Sequence, residues 1–493
     1  MAKIKTLSDL KSFCKKNVKH SVIGVGVTAF NRLGLEDVIS DYKIISLRYG
    51  LDAEVIEKDI PVFSLEKGLG NKHLPVKKNA TSILRDKRGQ EYISSFKNPA
   101  LIFYETTNEI EEIIRRKKWT LVANPKSLRE KFENKVKFRD VLKKCGIDLI
   151  PSEINYLRNV NYSYLVKKYG KKFVIQLPDC GGGKGTFFIN SKDEYREIVN
   201  SKKIKEYRDI KLNFASFITG PSPSITGCVT RQGILYTNPQ YQVLDAPECF
   251  NLEKGSGLFS GHDWTKSNFP EKVARQAHEF TEKIGLYLRK FGYKGIFGLD
   301  MLLDQESQKL YVVECNPRLL GSFPVISMVQ LKGGEIPLIA LHTLEFLGIQ
   351  YDLDLDSVNK LIKKKKVGTQ LVLHNLEGIA CKIMSKLKAG VYKFDGQKLK
   401  LDRPGYDLRH LKANDELLVS DGIPRYGSAI GPFGRLIRVI TLREVLDGYK
   451  KLNPWASKVC KEVYKLMGLK PFSSFYRRKP TLKKNLNLDI NGD

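Results

Sequence analysis

The sequence predicts a mixed α/β and α+β protein with three folded parts and a basic tail. At roughly 150 residues per domain, 493 residues correspond to about three domains. Hydrophobic residues make up 42% and charged residues 28%, which is the composition of a globular chain. The order of strand and helix patterns changes along the chain, which predicts parts at 1–123, 124–350 and 351–470 and a flexible basic tail at 471–493.

The first part has the strand and helix alternation of a parallel βαβ layer. Short β-branched apolar runs predict the strands, and apolar residues at helical spacing predict the helices between them. The predicted strands are 21–27, 43–47, 100–104 and 120–123, and the predicted helices are 31–39 and 109–117. The pair Asn124-Pro125 then breaks the chain, which places the end of this layer near residue 123.

The second part reads as α+β. Apolar residues between Leu128 and Leu142 fall on one helical face, and Gly146 ends that helix. The further predicted elements are helices at 162–169, 192–200 and 271–291, strands at 173–177 and 186–190 around a glycine loop, and strands at 213–218, 224–230 and 233–236 in one antiparallel sheet. A closing hairpin follows the last helix.

The third part is predicted to be a small β-rich domain with helices. Acidic residues at 352–356 and the lysine tract at 363–366 separate it from the preceding hairpin. Short strand patterns with turn residues between them cover 369–374, 379–385, 417–419 and 436–440. No internal repeat is present.

The closing hairpin, residues 295–322, carries the strongest chemical signal. Two strand patterns at 297–303 and 310–315 are joined by a polar turn. Side chains alternate faces along a strand, so Glu314 and Asn316 share one face. If Asp304 faces Leu310 across the turn, Asp300 lies directly opposite Glu314 on that face.

Two carboxylates that face each other without a cation destabilise a sheet. A magnesium ion removes this repulsion, because it prefers oxygen ligands and is commonly held by one or two carboxylates together with nucleotide phosphates. Arg318 follows two residues after Asn316, and its planar fork of donors suits a phosphate or a carboxylate. The pattern therefore predicts a magnesium and phosphate site, against the alternative of ordinary surface carboxylates.

The second signal is the glycine loop between the strands at 173–177 and 186–190. Consecutive glycines let backbone N–H groups approach phosphate oxygens, and the lysine within the loop adds a mobile positive charge. The loop residues are Gly181, Gly182, Gly183, Lys184 and Gly185. It is not a P-loop, because Pro178 and Gly185 occupy the positions of the required glycine and Ser or Thr. By itself it is also compatible with a flexible turn.

In this order, the glycine loop and the hairpin resemble the ATP-grasp superfamily over roughly residues 1–440. The resemblance implies a Rossmann-like N-terminal domain, an ATP-grasp nucleotide-binding domain and a small β-rich C-terminal domain. It implies Asp300, Glu314 and Asn316 as metal ligands and Arg318 as a contact to the transferred phosphate or the substrate carboxylate. Lys135 resembles the first nucleotide lysine of the family, with a solvated helix lysine as the alternative.

The sequence departs from the family pattern at two places. Gln176 stands where the family usually has a lysine that touches the phosphates, so either Lys184 supplies that charge or one cation is missing. The segment around Phe217 and Ile218 resembles the linker strand whose backbone pairs with adenine. Its customary glutamates are replaced by Ala215, Ser216 and Ser222, which leaves the adenine and ribose contacts open.

Two further motifs are weaker. Gly24, Gly26 and Ala29 match a G-x-G-x-x-A dinucleotide fingerprint, but Arg48 stands where an acidic residue is expected, which only an NADP site would tolerate. The long segment 246–264 contains Lys254, His262 and Asp263 and is predicted to be a loop over the active site or, equally, a surface loop.

The composition restricts partners and compartment. Lysine and arginine total 84 against 54 acidic residues, a formal charge of +30, so polyanions such as nucleotides are plausible partners. The basic residues are spread along the chain, which disfavours nucleic acid. The eight cysteines show no C-x-x-C or zinc spacing, and no membrane span is evident, which predicts free thiols and a cytoplasmic protein. A homodimer is one possible assembly.

Together, the residues and the resemblance predict a ligase that depends on ATP and magnesium, with manganese as the alternative cation. It would activate a small-molecule carboxylate as an acyl phosphate, which an amine then attacks. Two alternatives stay open: carboxylation of the type catalysed by biotin carboxylase, and a basic nucleic-acid-binding protein without ligase activity.

Overall fold

The structure is a computed structural model that describes residues 3–69, 79–178 and 185–472. Its N-terminal sheet has five parallel strands, and β-branched and other apolar residues bury both of its faces. In spatial order these strands are Val62–Ser64, Tyr42–Ser46, Ser21–Gly26, Pro99–Ile102 and Thr120–Val122. This order, 3-2-1-4-5 along the chain, is that of a Rossmann-like sheet and confirms the predicted parallel layer.

Helices flank this sheet. They are Leu7–Asn17, Ala53–Ile56, Leu65–Leu69, Ala80–Arg85, Lys87–Ser94 and Asn108–Lys117. The longest, Leu7–Asn17, begins with a capping box, in which Thr6 and Asp9 each accept the other's backbone N–H.

The prediction of a helix over residues 31–39 is wrong, because no α-helix forms there. Only a single 3-10 turn forms, at Phe30–Arg32, because Gly34 has φ +120° and ends any regular helix. Arg32 folds back over the preceding strand, so that a Cβ added at Gly26 would lie 2.4 Å from its Nε. The glycines therefore make room for the Arg32 side chain. Because no regular helix begins after them whose N-terminus could bind a phosphate, the structure does not fit a dinucleotide-binding site.

The middle part contains a four-stranded antiparallel sheet, here called the lobe sheet. Its strands in spatial order are Ser152–Tyr156, Lys211–Ser216, Phe173–Gln176 and Thr186–Ile189. The helices Tyr162–Tyr169, Lys192–Asn200 and Lys202–Lys205 accompany it. The strand and helix bounds predicted here agree with the structure to within two residues.

The large sheet has eleven strands, ten of them in one path. In order they are Leu310–Asn316, Gly295–Leu303, Pro223–Val229, Gln240–Leu244, Phe259–Asp263, Thr369–His374, Arg435–Thr441, Glu416–Ser420, Gly390–Phe394 and Leu399–Arg403, with Ile234–Tyr236 paired to Pro223–Val229. The strands predicted near 213 and 224 thus lie in different sheets. The sheet also continues across residue 350, and the domain boundaries remain predictions.

Several helices surround the large sheet. They are Lys126–Glu133, Lys135–Lys144, Glu271–Lys290, Phe323–Lys332, Leu338–Leu347, Leu355–Ile362 and Pro454–Met467. Short strands complete the structure at Lys3–Ile4 with Asp352–Leu353, at Cys381–Ile383 with Ala429–Ile430 and Leu469–Pro471, and at Leu446–Asp447 with Lys451–Leu452; further 3-10 turns lie at Leu157–Asn159, Leu252–Lys254 and Leu408–His410.

The helices Phe323–Lys332 and Leu338–Leu347 connect the N-terminal sheet to the large sheet. Their side chains are almost all buried, in one apolar cluster that also contains Val22 and Ile296. The carboxyl ends of the N-terminal strands are thereby held beside the end of the closing hairpin.

Two further expectations can be compared with the structure. All seven cysteines of the described ranges are free thiols, as predicted. No helix within residues 3–69, 79–178 and 185–472 has both the length and the apolar character that crossing a membrane requires.

Candidate active site

The closing hairpin places Asp300 directly opposite Glu314, as the sequence predicted. The route to this pairing differs from the predicted one, because the turn pairs Leu303 with Leu310. An irregularity between Asp300 and Met301 then shifts the register by one residue. Such bulges re-aim side chains and occur next to active sites. Without it the two carboxylates would not face each other.

Asp300 is held by two amide side chains. Asn316 donates from Nδ2 to Asp300 Oδ2 at 2.9 Å, and Gln242 donates from Nε2 to the other carboxylate oxygen. Burial raises the pKa of Asp300 above its ordinary value, and the facing charge of Glu314 raises it further. An opposite charge between these two carboxylates would be strongly favoured.

Lys135 supplies positive charge to this pair. Its Nζ lies 3.0 Å from Glu314 Oε2, and the exposed fractions of the two side chains are 6% and 17%. Asn134 caps the helix Lys135–Lys144 by accepting from the backbone N–H groups of Val136 and Lys137. Lys135 N also donates to Pro178 O at 2.9 Å, which ties the helix start to the strand that enters the glycine loop.

Arg318 joins the hairpin to the N-terminal sheet. Its Nη2 donates to Asn316 Oδ1 at 3.0 Å, and its Nε lies 3.3 Å from Glu133 Oε1 and 3.7 Å from Glu105 Oε2. The guanidinium also donates to the Tyr104 hydroxyl and stacks on that ring. Although burial opposes it, these neighbours hold the pKa of Arg318 above its ordinary value.

Those of the remaining predicted nucleotide residues that the structure describes lie on or beside the lobe sheet. Gln176 donates to Thr186 Oγ1 at 3.3 Å and accepts from Asn213 Nδ2 at 3.3 Å. Gly185 O accepts from Leu177 N at 2.8 Å, and Phe217, which precedes the half-buried Ile218, packs edge-on against Phe188. Gly181, Gly182, Gly183 and Lys184 lie outside the described residues.

The donor set fits magnesium. Two facing carboxylates on one sheet match the one or two carboxylates with which proteins hold Mg²⁺ beside nucleotide phosphates. Among the described residues, no cluster of three or more His, Cys, Asp or Glu side chains forms a denser metal site. The Asn316 amide oxygen faces Arg318 and its nitrogen faces Asp300, so its role as a third ligand stays a prediction.

The segment 246–264 was predicted to be a loop over the active site or at the surface. Only part of it is a loop in the structure. The segment ends in the strand Phe259–Asp263, whose last residues are buried in the large sheet. Asp263 accepts from the backbone of Val445 and Lys266, and burial and Arg438 lower the pKa of His262 to about 3. Both side chains are structural; the side chain of Lys254 lies outside what the structure describes.

Sequence reasoning missed Gln242, Glu133 and Tyr104. Gln242 lies on the strand Gln240–Leu244, which no strand pattern predicted, and it reaches Asp300 across the intervening strand Pro223–Val229. Glu133 ends the helix that precedes Asn134 and lies two residues before Lys135. This closeness in sequence to a predicted nucleotide residue was the one signal that could have identified it. Tyr104 follows a predicted strand, but its contact with Arg318 depends on how the sheets are packed.

The fold and this site define a nucleotide-binding domain in which a hairpin with paired carboxylates is linked through Lys135 to the end of a strand of the lobe sheet. Residues 132–322 match the ATP-grasp domain family, and the chain therefore contains an ATP-grasp domain. The match begins at the end of the helix that carries Glu133 and stops four residues after Arg318. It thus includes both strands of the hairpin, the lobe sheet and Lys135.

A similar characterised protein is the [butirosin acyl-carrier protein]–L-glutamate ligase of Niallia circulans, which is 22% identical over 237 residues. That match covers 46% of this chain and 53% of the relative, so it spans about half of the relative's length.

Solved structures show the same fold. Biotin carboxylase from Campylobacter jejuni superposes with a TM-score of 0.57 at 15% identity, covering 86% of this chain and 87% of that one. Phosphoribosylamine–glycine ligase from Thermotoga maritima gives 0.52 at 14% identity, covering 91% and 96%. At these identities the likeness extends to the fold alone.

Proposed function

We propose that this protein is an ATP- and magnesium-dependent ligase that joins a carboxylate to an amine through an acyl phosphate. The observation that carries the proposal is the pairing of Asp300 with Glu314 on one face of the hairpin, with Lys135 at 3.0 Å from Glu314. Such a pair is costly in an ordinary sheet and useful beside a triphosphate. The ATP-grasp match over the same residues supports it.

The reaction would proceed in two displacements. A carboxylate oxygen of the acid attacks the γ-phosphorus of ATP, the bond to the β-phosphate oxygen breaks, and ADP leaves. The amine nitrogen then attacks the carbonyl carbon of the acyl phosphate, phosphate leaves, and the nitrogen loses a proton to solvent. Neither step needs a covalent bond to the protein.

The chain's own groups would bind and orient the reactants. Lys135 and the glycine loop, including Lys184, would hold the phosphates, while Asp300, Glu314 and Asn316 would hold the cation. Bound magnesium would neutralise charge on the transferred phosphoryl group. Arg318 lies on the same hairpin and would stabilise the negative charge that builds up on the phosphate or orient the acid. Positioning and electrostatics carry most of the catalysis of phosphoryl transfer.

The acid substrate would enter between the hairpin and the N-terminal sheet. Tyr104 and Glu105 follow the N-terminal strand Pro99–Ile102, and both contact Arg318. The relative from Niallia circulans is named for a ligase that acts on an acyl-carrier protein and L-glutamate. Amino acids and carrier-bound acids are accordingly the first substrates to test with this chain.

Trapping of the acyl phosphate tests the proposal. Purified protein, Mg²⁺ and ATP are incubated with a panel of carboxylic acids and hydroxylamine, which converts an acyl phosphate to a hydroxamate. We expect ADP and hydroxamate in equal amounts with at least one acid, and loss of both in Glu314→Gln. Glu306→Gln changes an exposed carboxylate in the turn of the same hairpin and should keep activity. Unchanged ADP release in Glu314→Gln would refute the assignment.

The alternatives make different predictions in the same assay. Carboxylation requires ATP hydrolysis that depends on bicarbonate and is stimulated by free biotin, with no hydroxamate. A nucleic-acid-binding protein would shift DNA or RNA in a gel at about 150 mM salt, although phosphate-driven binding weakens steeply as salt rises. The fold that this chain shares with biotin carboxylase does not by itself favour carboxylation, because one fold can carry out different reactions.

A further inference from the structure

Two large apolar side chains are exposed at the end of the helix Glu271–Lys290. Leu286 and Phe291 have exposed fractions of 44% and 41%. Tyr287, the neighbour of Leu286, packs against the Phe291 ring with the ring centroids 5.1 Å apart, which joins the two exposed side chains. Single exposed apolar residues are normal on a protein surface, whereas neighbouring ones indicate a contact surface.

A second helix brings a positive charge to these side chains. The Nζ of Lys131 lies 3.4 Å from the centroid of the Phe291 ring, which is a cation–π contact. The adjacent Phe132 is buried and packs against the rings of Tyr287 and Phe291. The helix Lys126–Glu133 is therefore fixed beside the exposed apolar pair.

The end of a third helix lies on the other side of the pair. The Cys145 thiol donates to the backbone oxygen of Lys283 at 3.8 Å, and Lys144, which is exposed, precedes it. Burial raises the pKa of Cys145, and the nearby charges of Lys290 and Lys283 oppose the rise. We call this surface the basic ridge; its residues are Lys131, Lys144, Leu286, Lys290 and Phe291.

The positive charge of the basic ridge is not compensated within the described part of the chain. Lys131, Lys144 and Lys290 have no ion-pair partner among the described residues, whereas Lys283 pairs with Glu279 at 2.6 Å. Between Lys283 and Asp300 the sequence contains no acidic residue. Such a surface attracts an acidic partner over a distance and suits it in contact.

The basic ridge borders the proposed entrance for the acid substrate. Lys131 lies two residues before Glu133, whose carboxylate is 3.3 Å from Arg318. At the other end of the ridge, the backbone of Lys294 bonds the side chain of Asn124 at 2.7 and 3.2 Å. Asn124 follows the last strand of the N-terminal sheet. A partner on the ridge would therefore sit beside the opening between that sheet and the hairpin.

We infer that the basic ridge docks an acidic carrier protein, which holds one of the two substrates on a flexible arm and presents it at this entrance. The inference names a partner of the proposed ligase site and rests on that proposed function. An apolar centre with a charged rim is the arrangement of a protein–protein interface. Nucleic acid is bound mainly through its phosphates, for which exposed Leu286 and Phe291 offer no contact.

Calorimetric titration of the full chain with the apo form of the butirosin acyl-carrier protein as the probe tests the inference. We expect binding that weakens between about 50 and 300 mM salt, because exposed charges are screened. Lys131→Glu/Lys290→Glu should weaken it by roughly tenfold or more. Leu286→Gln, which removes an apolar contact and no charge, should weaken it by roughly tenfold.

Lys398→Glu/Lys400→Glu is the matched control. It changes the net charge by the same amount, but both residues are exposed at the opposite edge of the large sheet, on or beside the strand Leu399–Arg403. It should change carrier affinity by less than about twofold at 150 mM salt. All of these variants should keep hydroxamate formation with a free acid, because none of the substituted residues is assigned to the catalytic site.

The outcomes separate this inference from the proposed function. If the wild-type protein forms hydroxamate but does not bind the carrier, or if the control weakens binding as much as the ridge substitutions do, the inference is wrong and the ligase proposal stands. If the carrier binds through the ridge but no acid gives hydroxamate, the ligase proposal is wrong and only the docking surface remains. Binding of a DNA duplex that the ridge substitutions abolish, without carrier binding, would make nucleic acid the occupant and overturn the inference.

Discussion

The Nζ of Lys135 lies 3.0 Å from a carboxylate oxygen of Glu314, so a lysine sits at one of the two facing carboxylates of the hairpin. The pair joins the start of the helix Lys135–Lys144 to the strand Leu310–Asn316. It reduces the repulsion between Glu314 and Asp300, because a cation near one member offsets the charge of both. Under the proposed function, this lysine would exchange Glu314 for a phosphate when a nucleotide and its cation bind.

Lys135→Met should therefore affect both stability and binding. Without nucleotide, we expect the free energy of unfolding to fall by about 2 kcal/mol, because a partly buried carboxylate loses its partner. We also expect the affinity for Mg-ADP to fall roughly tenfold, as for the loss of one charge-assisted hydrogen bond. Urea unfolding and calorimetry measure the two effects.

Lys137→Met provides the matched control. Lys137 is exposed two residues further along the same helix turn and has no ion-pair partner among the described residues. It should change the free energy of unfolding by less than about 0.5 kcal/mol and leave Mg-ADP affinity unchanged. Equal effects of the two substitutions would show that the ion pair contributes nothing specific.

The local periodicity of the sequence was enough to predict many elements of this fold. The helices Tyr162–Tyr169 and Lys192–Asn200 and the strand Thr369–His374 have the predicted bounds, because capping residues or turn residues mark both ends of an apolar pattern. The opposition of Asp300 and Glu314 was also predicted. Side chains alternate between the two faces of a strand, which restricts the residues that can lie opposite each other. The turn alone would have shifted the pairing of the two strands by one residue, and the bulge restored the predicted pairing.

Elements determined by packing could not be predicted. Residues 31–39 have a helical pattern, but Arg32 is buried over Gly26 and the chain turns at Gly34. The strand Phe259–Asp263 contains His262 and Asp263, which read as surface residues until the structure shows both in the interior. Tertiary contacts outweighed local propensity in each case. The same holds for Gln242, whose contact with Asp300 requires a strand order that periodicity does not encode.

Gln242→Leu should weaken cation and nucleotide binding without unfolding the protein. Gln242 donates to one oxygen of Asp300 and fixes the direction of that carboxylate. Partners that orient a metal ligand typically contribute 10–100-fold to metal affinity, so we expect Mg-ADP affinity to fall by at least about tenfold. Isothermal titration at saturating Mg²⁺ measures this, and circular dichroism checks the fold.

The exposed Gln397 is the control for this substitution. It lies in the turn before the edge strand Leu399–Arg403, far along the large sheet from the hairpin. Gln397→Leu should bind Mg-ADP like the wild-type protein. A Gln242→Leu variant with wild-type affinity would mean that Asn316 alone orients Asp300.

The ion pair between Arg318 and Glu133 should be measurable as a coupling energy. The two side chains are 17% and 28% exposed and approach to 3.3 Å. We expect Arg318→Met and Glu133→Gln each to destabilise the protein, and the double variant to lose less than the sum by about 1 kcal/mol. The Arg318→Met variant should also lose ADP release, whereas Glu133→Gln should keep part of it. Additive stability effects would show that the two residues act independently.

Glu416 gives a pH-dependent prediction away from the active site. Arg403 binds it with two hydrogen bonds of 2.8 Å, and its side chain is 4% exposed. The Arg403 hydrogen bonds, together with the backbone N–H of Lys412, lower the pKa of Glu416 from 4.5 to about 2. Because the folded-state pKa lies below the ordinary value, the stabilisation is present above pH 4.5 and is lost as the pH falls towards 2.

Glu416→Gln should therefore cost about 3 kcal/mol of unfolding free energy at pH 7 and only about 1 kcal/mol at pH 3. Urea unfolding of both proteins at the two pH values measures the difference. Glu271→Gln serves as the control, because Glu271 is 89% exposed in its pair with Arg275 and should contribute less than about 0.5 kcal/mol at either pH. A Glu416→Gln effect that stayed constant between pH 7 and pH 3 would show that the carboxylate charge does not carry this stabilisation.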